Sequence, residues 1–186
     1  MDPVSRRDVT GLPVLVVSVT EHAFGAAHAV PSSATAPGDP SGPRLVALLT
    51  QARYAVSGPV VVPDRLEEVA AALRDGVAAG HRMIVTTGGT GVARHDLTPE
   101  ATRTVLTREV PGVAETLRSE GARHTPLSAL SRGLVGIADA AGERDVGTLV
   151  VNLPGSVQAV EQGVDVLLPL LPHLLDMIVG WDDAGG

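Results

Sequence analysis

The stretch at positions 84–102, IVTTGGTGVARHDLTPEAT, runs an apolar segment into three glycines, then Arg94, Asp96 and a fresh helix start. Glycines at a strand end ordinarily mark a turn that needs positive φ. Here threonine hydroxyls flank the turn, and several backbone N–H groups have no partner in a regular element, a combination that suits an anion. The run matches neither Gly-x-x-x-x-Gly-Lys-Ser/Thr nor Gly-x-Gly-x-x-Gly. Taken alone, Thr87, Gly88, Gly89, Thr90 and Gly91 are explained equally well as a turn and as a phosphate seat.

Charge narrows the choice. A helix N-terminus offers roughly half a positive charge, so two such ends fall short of neutralising a polyphosphate. The remainder must come from Arg94, Arg132 or a divalent cation. Magnesium would call on carboxylates at strand ends, and Asp64 and Asp96 are placed for that. Asp64 also reads as an N-cap ahead of Leu66, with Glu67 in the capping-box position. Asp96 sits in a loop where Thr98 already supplies a cap, so its alternatives are a solvated carboxylate or a partner for Arg94. A second Pro-Gly turn, Asn152-Leu153-Pro154-Gly155-Ser156, precedes another helix and offers a second anion-accepting end. Ser131-Arg132, with Gly133 and Gly136 close by, adds a hydroxyl, a cation and room for close backbone approach. Together these outline a cleft for a ligand with several phosphates.

Other chemistries find no support. No two of the six histidines stand at helical ligand spacing for zinc, and no Gly-x-Ser-x-Gly elbow occurs. Cysteine is absent, which removes disulfides and thiolate metal sites. The net charge is −7, and Phe, Tyr and Trp occur once each. Nucleic-acid binding is not expected of such a chain. No signal-peptide core opens the sequence, and no apolar run reaches the ~20 residues of a membrane span. The expectation is a soluble, cytoplasmic protein.

These groups must be held by a scaffold, and 186 residues with 44% hydrophobic content suffice for one aliphatic core. Branched apolar runs at 12–19, within 57–63 and at 82–87 read as buried strands. LVGIAD and TLVVNL read as a further pair of strands joined by a polar loop. Helices are expected after Asp39-Pro40-Ser41-Gly42-Pro43, from Asp64, from Thr98-Pro99-Glu100 as far as Pro111, over roughly 113–122, and from Ser156. This alternation predicts one doubly wound, three-layer α/β domain with a mostly parallel sheet over 13–180. Residues 1–12 and 181–186 are expected to be tails. Ligands of such sheets sit beyond the carboxyl ends of the strands.

Five motifs in this order, Asp39-Pro40-Ser41-Gly42-Pro43, Pro63-Asp64, TTGGTG with RHDLTPEAT, LSRGLVG and NLPGS, resemble the MogA and MoaB family of molybdenum cofactor biosynthesis. Gephyrin and plant molybdopterin adenylyltransferases carry related domains. The resemblance spans nearly the whole chain after residue 12. It implies an α/β domain, usually a homotrimer, whose enzymes transfer AMP from Mg-ATP to the terminal phosphate of molybdopterin, giving adenylylated molybdopterin and pyrophosphate. Carried over by position, Gly88, Gly89, Thr90 and Gly91 would bind phosphate. Asp64 and Asp96 would be the required acidic residues and the magnesium ligands, and Ser131, Pro154, Gly155 and Ser156 would line the pterin and nucleotide cleft. Ser41, Gly42, Thr87, Arg94 and Arg132 complete the expected substrate-binding set. A downstream molybdate-inserting protein is the implied partner. The alternative on the same fold is a non-catalytic pterin carrier. Two places depart from the family's pattern: Val19-Thr20-Glu21-His22 after the first strand, and Val157 after the Pro-Gly turn.

Overall fold

The two-residue period of the strands settles the layers. In a computed structural model, which describes residues 9–20, 39–139 and 147–178, six strands form one sheet. They are β1 (Pro13–Val19), β2 (Ala55–Val62), β3 (Met83–Thr87), β4 (Arg108–Glu109), β5 (Val135–Asp139) and β6 (Gly147–Leu153). Their order is β2-β1-β3-β6-β5-β4. β2, β1, β3 and β6 are mutually parallel, while β5 runs antiparallel to β6 and to β4. Val14, Val16, Met83, Val85, Leu149 and Val151 turn to one face. Leu15, Val17, Val19, Ile84 and Val150 turn to the other, as the pleat requires.

Helices cover both faces. On the first lie α1 (Ser41–Gln51), α4 (Pro111–Ala122), α5 (Val157–Leu167) and α6 (Leu171–Ile178), through Leu45, Leu49, Ala114, Val160, Val164, Leu167, Leu171 and Leu175. On the second lie α2 (Leu66–Ala78) and α3 (Thr98–Arg103), through Val69, Ala70, Leu73 and Ala101. The expected three-layer, mostly parallel α/β architecture is the one observed. β2 is an edge strand, which is where Pro59 can lack an N–H without breaking a ladder. The chain leaves β1 for β2 on one side and then crosses to β3 on the other, so β1 and β3 bound the topological switch.

Several local expectations are corrected. The N-cap of α2 is Arg65, which makes no side-chain capping bond, so Asp64 lies one residue outside and Glu67 forms no capping box. The N-cap of α3 is Leu97, and Thr98 is its first helical residue. Pro111 opens α4 at its first turn instead of ending the previous helix, as suits a residue without an N–H. The two-residue β4 was not anticipated. Val9 and Leu12 pack on the core. Residues 1–8 of the tail expected at 1–12, the tail expected at 181–186 with the two residues before it, the segment 21–38 and the loop 140–146 lie outside the described residues.

Candidate active site

The glycine turn leaves β3 with Gly88 at φ +99 and Gly89 at φ +63. A side chain at Gly88 would collide with the Val19 carbonyl oxygen, so the turn is pressed against the end of β1. Gly88 donates its N–H to the Leu153 carbonyl at 3.1 Å, joining the turn to β6. Thr98 closes the other side: its N–H reaches the Gly89 carbonyl at 3.2 Å, and its hydroxyl donates to the Gly88 carbonyl at 3.0 Å. Carbonyls are thereby consumed inward. Among the described residues, the N–H groups of Gly89, Thr90 and Gly91 have no acceptor. Successive open N–H groups around a left-handed turn form an anion-accepting concavity.

Both aspartates belong to this turn. Asp64 is 5% exposed and accepts the Leu97 N–H at 2.9 Å through Oδ1. Its Oδ2 lies where a Gly89 side chain would go. Asp96 accepts the Ala93 N–H at 2.8 Å through Oδ2, and that oxygen is 2.6 Å from where a Gly91 Cβ would stand. Asp96 Oδ1 has no hydrogen-bond partner among the described residues. Asp96 does not pair with Arg94, which is exposed and makes no hydrogen bond or ion pair among the described residues.

Arg132 is committed to holding the loop. Its N–H reaches the Thr90 carbonyl at 2.8 Å, Nε the Gly91 carbonyl at 2.6 Å and Nη2 the Asp96 carbonyl at 2.6 Å. Nη1 pairs with the Glu100 carboxylate. Burial pushes the Glu100 carboxyl up, but the Arg132 hydrogen bond, a backbone hydrogen bond and the charges of Arg132 and Arg103 outweigh it, and its pKa lies below the ordinary value.

In front of the turn opens a cleft of about 510 Å³, within the roughly 300–1,000 Å³ usual for small-molecule sites. Gly88 to Gly91 and Asp96 form one wall, and Pro154, Gly155 and Ser156 at the start of α5 form a second. Ser156 caps α5 by accepting the Ala159 N–H at 3.2 Å. The third wall comes from α4 and the short 3₁₀ turn Pro126–Leu130, through Leu117, Arg118, Leu127 and Leu130, with Ser131 following. The cleft thus has a polar floor and an apolar flank.

Of the expected binding residues, Ser41, Gly42, Thr87, Arg94 and Arg132 do not line this cleft. Asp64 lies beneath Gly89 rather than in the wall. Ser41 gives both its N–H (2.9 Å) and its hydroxyl (2.5 Å) to Asp39 Oδ1, and Asp39 Oδ2 accepts the Ser18 hydroxyl. Thr87 Oγ1 stands 3.0 Å from Ser41 Oγ and from the Pro154 carbonyl. These residues form a buried polar strut behind the site, between β1, α1, β3 and β6. Arg118 went unnoticed in the sequence. Its signal was the row Ala114, Leu117/Arg118, Gly121 at helical spacing, one face of α4 with small residues at both ends.

A family described as "Probable molybdopterin binding domain" matches residues 26–173. The chain belongs to that family. It is 41% identical over 143 residues to the molybdenum cofactor synthesis protein cinnamon of Drosophila melanogaster, covering 75% of this chain but 22% of that protein. It is 36% identical over 98 residues to the molybdopterin adenylyltransferase of Helicobacter pylori strain J99, covering 53% of this chain and 52% of that one. The chain therefore spans about half or less of the length of these curated relatives. The crystal structure of the molybdopterin biosynthesis enzyme MoaB from Thermus thermophilus superposes with a TM-score of 0.74 at 36% identity, over 91% of this chain and 97% of that one.

Proposed function

We propose that this protein acts in molybdenum cofactor biosynthesis as a molybdopterin adenylyltransferase, passing AMP from ATP to the terminal phosphate of molybdopterin. In this reading a molybdopterin phosphate oxygen attacks the α-phosphorus, the bond from that phosphorus to the bridging oxygen breaks, and pyrophosphate leaves with the electron pair. The observation that carries the reading is the convergence of three open N–H groups at Gly89, Thr90 and Gly91, the Asp96 carboxylate and the start of α5 on one cleft. The name of the Helicobacter pylori relative supports it.

The attacking phosphate is its own base, because its second pKa is about 6 and it is largely ionised at neutral pH. What remains for the protein is to align two anions and offset the charge that accumulates between them. The open N–H groups of the turn accept phosphate oxygens. The positive end of α5 at Gly155 and Ser156 adds to the same potential. The apolar flank of Leu117, Leu127 and Leu130 offers a surface for a flat ring.

Magnesium bound with ATP would neutralise phosphate charge. The donor set fits such a nucleotide-borne ion: Asp96 lines the cleft with Oδ1 free of hydrogen bonds among the described residues, and Asp64 stands directly beneath Gly89. No group of three or more His, Cys, Asp or Glu converges among the described residues, and magnesium commonly takes only one or two carboxylates beside substrate phosphates.

Incubation with molybdopterin, ATP and magnesium, followed by assay of adenylylated pterin and pyrophosphate, tests the reading. Pterin binding without product would place the chain among non-catalytic carriers. As part of the same reading, the protein works in the cytoplasm as a homotrimer; sedimentation as a stable monomer would remove the trimer. No helix among the described residues is long and apolar enough to cross a membrane.

A further inference from the structure

We propose that Arg118 is the residue that receives the phosphate monoester of the acceptor substrate; this rests on the adenylyl-transfer reading of the cleft. Among the described residues that line it, Arg118 is the one cation. Its Nη1 donates to the Gly133 carbonyl at 3.1 Å, which fixes the plane of the guanidinium. Nε and Nη2 have no acceptor among the described residues, and no carboxylate pairs with it there. Two parallel donors of a fixed guanidinium match two oxygens of a phosphate.

The surroundings are built to hold it. The Arg118 carbonyl accepts the Ser128 hydroxyl at 3.1 Å, and a side chain at Gly121 would collide with that hydroxyl. α4 is therefore locked at close range onto the 3₁₀ turn that carries Leu127 and Leu130. A half-buried cation beside apolar side chains, in a protein of net charge −7, gains most from an anion that arrives with the ligand. The glycine turn and Arg118 line different walls of one cleft, so the turn takes the nucleotide phosphates and Arg118 the acceptor's single phosphate.

The test is binding, read by pterin fluorescence, of molybdopterin and of its dephosphorylated form to wild type, Arg118→Met and Arg118→Lys, with circular dichroism to confirm folding. Wild type should prefer the phosphorylated form about 10- to 100-fold, the size of one charge-assisted contact pair. Arg118→Met should lose that preference, and Arg118→Lys should keep part of it, since the charge stays and the fork does not. A preference that survives in Arg118→Met, or none in wild type, overturns the assignment. Should Arg118→Met fail to fold, a full wild-type preference in Arg118→Lys overturns it instead. A wild type that prefers the phosphorylated pterin but releases no pyrophosphate from Mg-ATP overturns the transfer reading and leaves Arg118 standing. A wild type that binds neither pterin overturns both.

Discussion

Arg132 donates from Nε to the carbonyl of Gly91 at 2.6 Å, across 41 residues of sequence. That contact, with the Asp96 carbonyl and the Glu100 carboxylate, makes Arg132 the clamp of the glycine turn. Lysine cannot reach three acceptors that a planar fork serves at once. With the side chain 37% exposed, solvent screening reduces the loss, and Arg132→Lys should cost about 2 kcal/mol. Thermal unfolding followed by circular dichroism should show a fall of about 4–8 °C. An unchanged midpoint would show that the clamp carries no stability.

The same clamp should respond to acid. Glu100 has a folded-state pKa below its ordinary value of 4.5, so its ionised form is favoured by folding. Its contribution is fully present above pH 4.5 and disappears as pH falls through the lower, folded-state pKa. The melting difference between wild type and Glu100→Gln should therefore be constant near neutrality and narrow below pH 4.5. A difference that widens on acidification would reverse the sign of this linkage.

Two glycines in left-handed conformations separate backbone strain from collision. Gly80 has φ +80 and open space around it, whereas Gly88 has φ +99 and the Val19 carbonyl in the path of any side chain. Gly80→Ala should cost about 1 kcal/mol. Gly88→Ala should cost about 3 kcal/mol or more, because backbone must move. Urea titrations of the two variants make the comparison, and equal losses would deny the close approach of the turn to β1.

Asp96→Asn keeps the size of the side chain and an oxygen for the Ala93 N–H, but removes the charge. Its stability should stay within about 1 kcal/mol of wild type, while pyrophosphate release falls roughly 100-fold or more. Normal turnover in this variant would take Asp96 out of the chemistry.

Where side chains act on their own neighbourhood, the sequence was readable. Val14, Leu15, Val16 and Val17 alternate faces because the pleat has no other choice, and Ser156 caps α5 by accepting the N–H of Ala159, three residues on. The two failed caps have one cause. Asp64 and Thr98 are competent N-cap residues by type, but a tertiary partner holds each: the Leu97 N–H, 33 residues from Asp64, and the Gly88 carbonyl, 10 residues from Thr98. β4 was illegible because two residues carry no period, and only its ladder to Ile137 and Gly136 defines it.

Sequence alone determined the layered α/β fold, the glycine turn at the end of β3 and the second turn at Pro154-Gly155, since pleat period, glycine conformation and proline geometry are properties of short segments. Tertiary structure alone decided which cation faces the cleft. Arg94, Arg118 and Arg132 have the same charge and reach. Arg94 is left exposed on the outer loop, Arg132 is held by two carbonyls and Glu100, and Arg118 lines the cavity with its guanidinium on the Gly133 carbonyl. A guanidinium goes to the acceptors the fold brings within about 3 Å, and those acceptors are set by chain segments far away in sequence.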